Sequence, residues 1–442
     1  MRNLEIDGVK VLGSECMKTV RVLDDIGIRF AGTPGEREAA LWIEQRLRAL
    51  SLQNVQLDEF SCLTFSYQDC QLLISSAKGW REIRALPVAH SPSTSNEGCK
   101  APFVCLEKVP SQVQKCREAI AGRAVLIVSS ELFDWSRFQM VMRGKPALVL
   151  VVDDRFPNNR TVAVGLPRHW IKVVSCPMVN ISHHSAWNLV REGCDSVLLK
   201  LQTTVSSAVS QNVIGEIRGK GLSREVIIVS GHHDSVINNT GADDNATGVA
   251  SVLELARVFS KVARRPERTI RFISFGAEEQ LSEGALHYVL SAPDRNKISF
   301  VLNTDAIGGW LGKNVMYWTG PVAVRRFLRD LNRKTGFPAH LLGELSPFSD
   351  HFPFNLAGIP SVWCHRPTYQ LARHYHHSSL ETPEVISPEV LQSTIEQQAV
   401  LLERLANAVP LPFQSRIPEP QMKVIKNMAR EWCGMDCLPE RT

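Results

Sequence analysis

No stretch of this 442-residue chain reaches the roughly 18 unbroken apolar residues that a bilayer-spanning helix requires, so no membrane partner is expected. The opening residues also lack the charged start and continuous apolar run of a secretory leader. Cysteine does not supply a framework either. The eleven cysteines are odd in number and scattered, whereas disulfide scaffolds are dense and even, so most are read as reduced thiols and the protein as cytoplasmic. Cys433 and Cys437 form a lone C-x-x-x-C that is read as part of a loose tail. There is no basic block, and a formal charge of +5 is small for this length, which argues against nucleic acid or an acidic membrane surface as a partner. No internal repeat is found.

What is present suits a globular protein with two cores: 44% hydrophobic and 21% charged residues over a length that exceeds one usual domain. Residues 33–51 carry helical apolar spacing with Thr33 as cap, and Val55–Leu57 reads as a short strand. From about Cys62 to Val205 the texture becomes β-rich, with runs beginning at Arg123, Ala147 and Ser196 between Ser-, Pro- and Asn-rich loops. A βα alternation then takes over: strands at Val226, Thr269, Ser299 and Ser361, with helices over 246–262, 283–290, 323–334 and 388–406. Such alternation implies an α/β fold, a mostly parallel mixed sheet with helices on both faces. The boundaries are set at 1–61 and 206–412 for this discontinuous domain, 62–205 for the β-rich insert, and 413–442 for an extended C-terminal extension.

Five segments bring together His, Asp and Glu: Gly231-His-His-Asp-Ser, Gly241-Ala-Asp-Asp-Asn-Ala-Thr-Gly, Gly276-Ala-Glu-Glu-Gln, Asn303-Thr-Asp305 and Tyr375-His-His-Ser-Ser-Leu-Glu-Thr. Three follow directly on apolar strands, and ligands of open α/β sheets bind beyond the strands' carboxyl ends. Imidazole and carboxylate donors without cysteine suit zinc, and a bridging carboxylate can hold a pair of ions. Taken singly, each has an ordinary explanation. An Asp-Asp-Asn before a helix is a capping cluster, adjacent glutamates are usually solvated, and a histidine after a strand is usually hydrogen-bonded structure. The argument rests on their coincidence in order.

Together these motifs resemble the co-catalytic di-zinc exopeptidases of clan MH, the family of bacterial leucyl aminopeptidases, aminopeptidase Y, glutamate carboxypeptidase and the glutaminyl cyclases. The resemblance covers roughly Thr33–Glu59 and Gln211–Leu402. It implies a metallo-aminopeptidase acting on peptides, with His232, Asp305 and bridging Asp244 on one zinc, and Glu279, His377 and Asp244 on the other. Cobalt or manganese would suit the same donors. Asp234 would orient His232, and Glu278 would act as general base. His377 is chosen over His376 by counting back from Glu381 and Thr382. Ser349-Asp350-His351 resembles the family's pocket segment, with Asp350 and His351 either supporting the ligands from behind or forming pocket wall, and Ser346 where some members carry an oxyanion-binding tyrosine. The insert is similar to a protease-associated domain. Arg366 and Arg373 are candidates for reading a substrate carboxylate, and Trp363 is read as core. The alternatives are a carboxypeptidase, a glutaminyl-cyclase-like acyltransferase and a receptor-like binding protein. Homo-oligomerisation is left open.

Overall fold

The computed structural model describes residues 5–77, 79–154, 160–367, 374–435 and 438. Apolar runs such as Val226–Val229 and Phe300–Leu302 must be covered on both sides, and the strands that contain them, Leu222–His232 and Ile298–Thr304, form the middle of the sheet. Leu222–His232 runs parallel to Arg268–Phe275 and to Ile298–Thr304, which in turn runs parallel to Ser361–His365. Antiparallel strands extend this group: Val315–Thr319 on Ser361–His365, and Ser196–Ile217 on Arg268–Phe275. The helices Gly13–Ile26, Pro34–Ala49, Ala246–Lys261 and Pro388–Asn407 contribute to a core that includes Leu23, Ile43, Val252, Phe272 and Leu402. Glu283–Ser291 and His351–Leu356 contribute to a second one with Ile228, Ile273, Tyr288 and Phe354. The expected mixed α/β sheet and its helices are thus present, and Thr33 accepts the capping hydrogen bond of Glu36 at 3.4 Å.

The 55–57 run proves to be part of a 24-residue strand, Gln53–Ser76, paired antiparallel with Ser196–Ile217 along nearly its whole length. Residues 61–62 and 205–206 lie inside this ribbon. Its middle is mixed and partly exposed, so apolar alternation does not reveal it; cross-strand backbone pairing holds it instead. The far part of the ribbon carries the insert. There Cys99–Cys105, Ala124–Val128, Leu148–Val152 and Met178–Ile181 run parallel. Helices Val113–Ile120, Trp135–Arg143 and His183–Arg191 give this β-rich unit an α/β character.

The C-terminal segment departs from the extended reading. Glu419–Met428 is a helix followed by a π-turn, Ala429–Cys433. Ile425 and Ala429 are fully buried in a cluster with Phe352 and Leu356, so packing on the His351–Leu356 helix orders a segment whose sequence periodicity is weak. No helix of the described residues is long and apolar enough to cross a membrane.

Candidate metal centre

In register, His232 pairs with Phe275 and Ser230 with Asn303, so three strand ends finish level at one rim of the sheet. His232 closes the first strand, Glu278 and Glu279 follow the second, and Asp305 follows the third. Asp244 enters from the loop before the Ala246–Lys261 helix. Asn245 fixes that loop: its Oδ1 accepts the amides of Gly248 at 2.7 Å and Ala306 at 3.2 Å, and its Nδ2 donates to the Thr304 carbonyl at 2.9 Å. The cap of a helix is thereby tied to the end of a strand.

All five expected ligands converge. Asp244 lies between two histidines, with Oδ1 3.2 Å from His232 Nε2 and Oδ2 3.4 Å from His377 Nε2. Asp305 Oδ1 is 3.8 Å from His232 Nε2, and Glu279 Oε2 is 3.1 Å from His377 Nε2. His376 is near as well: its Nε2 is 3.5 Å from Asp244 Oδ2, and its ring stacks on His377 at 3.6 Å. Among the described residues, Asp244 forms one metal-sized donor group with His232 and Asp305 and another with His376 and His377.

Buried polar atoms are normally hydrogen-bonded. Here His232 Nε2, Glu279 Oε1 and Asp305 Oδ1 are buried without a hydrogen-bond partner. Burial pushes the Glu278 carboxyl well above the ordinary carboxylate range. His232 opposes this, while Asp350, Glu279 and Asp305 add to it. Burial alone would lower His232, yet Glu278, Asp234, Asp244 and Asp305 hold it well above its usual value. A concentration of negative charge this deeply buried needs a positive partner. The unpartnered, inward-facing nitrogen and oxygen donors fit divalent cations.

Neighbouring groups aim the donors. Asp234 accepts the backbone amides of Glu278 and Glu279, each at 3.0 Å, and lies 3.4 Å from His232 Nδ1. Burial opposes ionisation of Asp234, but His232 and those two amides hold it below its ordinary range. Ala277, Leu281 and Ser282 all have positive φ, a conformation that costs free energy for residues with a Cβ and that bends the chain sharply around the two glutamates. Ser349 donates to Asp305 Oδ2 at 2.9 Å, leaving the other oxygen facing His232.

Several contributors escaped sequence reading. Glu381, used there only to count positions, accepts the amides of Asp243 at 3.1 Å and Asp244 at 2.5 Å. Arg29 is completely buried and donates to the carbonyls of His233, Thr240 and Gly241, tying together the loops that carry His232 and Asp244. The insert grips the last histidine. Ala163 donates its amide to the His377 carbonyl at 2.8 Å, and its carbonyl lies 3.1 Å from His377 Nδ1, which leaves Nε2 to face the site. No sequence signal links Ala163 or Arg29 to these partners, because the contacts span 214 and more than 200 residues.

The site opens into a cavity of about 740 Å³, walled by the insert at Ser130 and Gly165 and by Tyr317, Ser346 and Trp363. Trp363, expected in the core, is largely buried but lines this cavity, stacked on Tyr317 at 4.7 Å. Asp350 and His351 are buried and are not among the lining residues. Arg366 does not reach the cavity. Its guanidinium donates to the carbonyls of Gly309 and Trp310 and to Asn314 Oδ1, holding a loop together. Arg373 lies outside the described residues.

The chain is 29% identical over 384 residues to aminopeptidase YwaD of Bacillus subtilis (strain 168), covering 83% of this chain and 79% of that protein. It is 37% identical over 163 residues to leupeptin-inactivating enzyme 1 of Streptomyces exfoliatus, covering 36% of this chain and 37% of the relative. Among solved structures, a zinc aminopeptidase from Bacillus subtilis matches with a TM-score of 0.71 at 26% identity, over 92% of this chain and 98% of that one. The model of peptidase family M28 matches residues 212–402, the span that holds every one of the converging donors, and the chain therefore carries a peptidase family M28 domain.

Proposed function

We propose that the protein is a zinc-dependent aminopeptidase that removes N-terminal residues from peptides by a two-metal route with Glu278 as general base. The aminopeptidases among its relatives support the reaction class, and the zinc aminopeptidase among its structural neighbours supports the metal. The observation that carries the direction of attack is electrostatic. Beyond the residues that would hold the ions, the described lining of the cavity adds the carboxylates of Asp153, Asp154 and Glu344 and no Lys or Arg. Such a wall attracts the free amine of a peptide and repels a terminal carboxylate, which a carboxypeptidase would have to bind.

His232, Asp305 and Asp244 would hold one ion, and Glu279, His377 and Asp244 the other. Zinc there supplies Lewis-acid polarisation of the substrate carbonyl and a lowered pKa for water. Glu278 accepts the proton of the attacking water and returns it to the departing amine, so one carboxyl serves both bond formation at the carbonyl carbon and bond cleavage at the nitrogen. Its Oε1 is within 3.2 Å of the Ser282 hydroxyl and its Oε2 is 3.7 Å from His232 Nε2, which leaves it beside the ligands and not tied up by a strong ion pair. Asp234 keeps both the imidazole and the glutamate backbone in place.

Two dipeptides decide the direction. Leucyl-alanine amide, with a free amine, should be hydrolysed, and N-acetyl-leucyl-alanine should not. Turnover of the acetylated peptide alone would sink the aminopeptidase reading. A second pair of measurements separates the two stacked histidines. Only His377 also reaches Glu279 in an ion pair between described residues, so His377→Ala is expected to retain about one zinc per chain and His376→Ala about two. The reverse result by elemental analysis would assign the ligand to His376.

A further inference from the structure

The C-terminal segment is anchored at two points, one near the His351–Leu356 helix and one on the insert. Its helix packs through Met422 and Ile425, with Ala429 just beyond it, in a cluster with Phe352 and Leu356, and Gln421 exchanges hydrogen bonds with both backbone groups of Gly320 at 2.9 and 3.0 Å. Its π-turn then reaches the insert. The Glu431 carbonyl accepts Trp170 Nε1 at 3.1 Å, and Gly434 lies against the His169 ring, so close that a Cβ would stand 3.0 Å from it. Trp432 joins the two sides. Its indole stacks on Trp170 of the insert at 5.1 Å and meets the ring of Phe348, from the loop before the His351–Leu356 helix, in a T-shaped contact at 4.8 Å.

Trp432 and Phe348 both line the cavity that holds Asp244, Glu278 and His377. Trp432 is half-buried and Phe348 is 51% exposed, whereas His232 and Asp305 are buried. The cavity therefore has an acidic floor and an aromatic rim. Its volume falls in the range of about 300–1,000 Å³ that accommodates a ligand much larger than one amino acid. A peptide whose N-terminal residue is cut at the floor must lead the rest of its chain out past the rim. Aromatic faces there offer stacking and apolar contact that do not depend on one particular side chain.

We propose that Trp432, supported by Phe348, is a specificity-determining residue that binds the part of a peptide beyond the bond being cut, making the C-terminal segment a third wall of the substrate cleft. This rests on the aminopeptidase reading. It predicts a preference for extended peptides over minimal substrates, and it gives the packed C-terminal helix a functional reason.

The test compares leucinamide with the tetrapeptide amide Leu-Ala-Ala-Ala-NH2 on the full-length, zinc-loaded protein. Trp432→Ala should lower the ratio of kcat/KM for the tetrapeptide to that for leucinamide about ten-fold, mainly through KM, which is the scale of losing one aromatic contact. Trp432→Phe should keep most of the ratio. Phe348→Ala, which leaves the insert's tryptophan cluster intact, should lower it in the same sense and decides the matter if Trp432→Ala does not fold. A ratio within about two-fold of wild type in the folded variants, with both substrates falling together or neither changing, overturns the assignment and leaves the aminopeptidase reading standing. A wild-type protein inactive on both substrates overturns that reading, and this one with it.

Discussion

Glu278→Gln is expected to lower kcat by about 10³-fold while zinc content by elemental analysis stays at the wild-type level. The carboxamide has nearly the same shape, and the backbone amide of residue 278 can still donate to Asp234 Oδ1, so the bend that presents Glu279 is retained. What disappears is the ability to accept a proton. Glutamine cannot take one from water at neutral pH, and the carboxylates that surround His232 and His377 are already engaged. Asp244, Glu279 and Asp305 point at the histidines, and both oxygens of Asp234 are engaged by backbone amides. A variant retaining more than about a tenth of wild-type kcat would show that the proton passes elsewhere.

The second large effect belongs to Asp244→Asn, for which loss of metal, not of chemistry alone, is expected. Its two oxygens face different histidines, 3.2 Å from His232 and 3.4 Å from His377, so a single substitution weakens both halves of the site. Ligand binding to the folded state raises stability by RT ln(1 + [L]/Kd), about 4 kcal/mol when zinc exceeds its dissociation constant a thousand-fold. The wild-type melting temperature should therefore rise when zinc is added to chelator-treated protein, and that rise should vanish in Asp244→Asn. The variant should nonetheless fold, because Glu381 holds the backbone amide and not the side chain of residue 244. Wild-type zinc content and an undiminished melting shift in Asp244→Asn would refute the bridging role.

The arrangement also explains why the insert matters to a site whose donors all lie outside it. His377 has a positive φ, a conformation that a histidine adopts at some cost. It is held there by the Ala163 amide and the Asn238 side chain, both donating to its carbonyl. The orientation of one candidate ligand thus depends on how the insert sits against the sheet, and the tryptophan cluster at the C-terminus ties the insert to the loop that carries Phe348.

The amino-acid sequence by itself determined the alternation of strands and helices and the identity of the converging donors. Apolar runs such as Val226–Val229 cannot be left in water, and a helix cap such as Asn245 acts over three residues, so these features are local and can be read locally. Only the tertiary structure decided the rest. The long ribbon of Gln53–Ser76 and Ser196–Ile217, the hold of Ala163 on His377, the tie of Arg29 between two loops and the seat of Trp432 at the cavity rim are pairings between residues over a hundred positions apart. Their stability comes from partners that meet once the chain has folded, and no periodicity in either partner's own neighbourhood encodes the meeting.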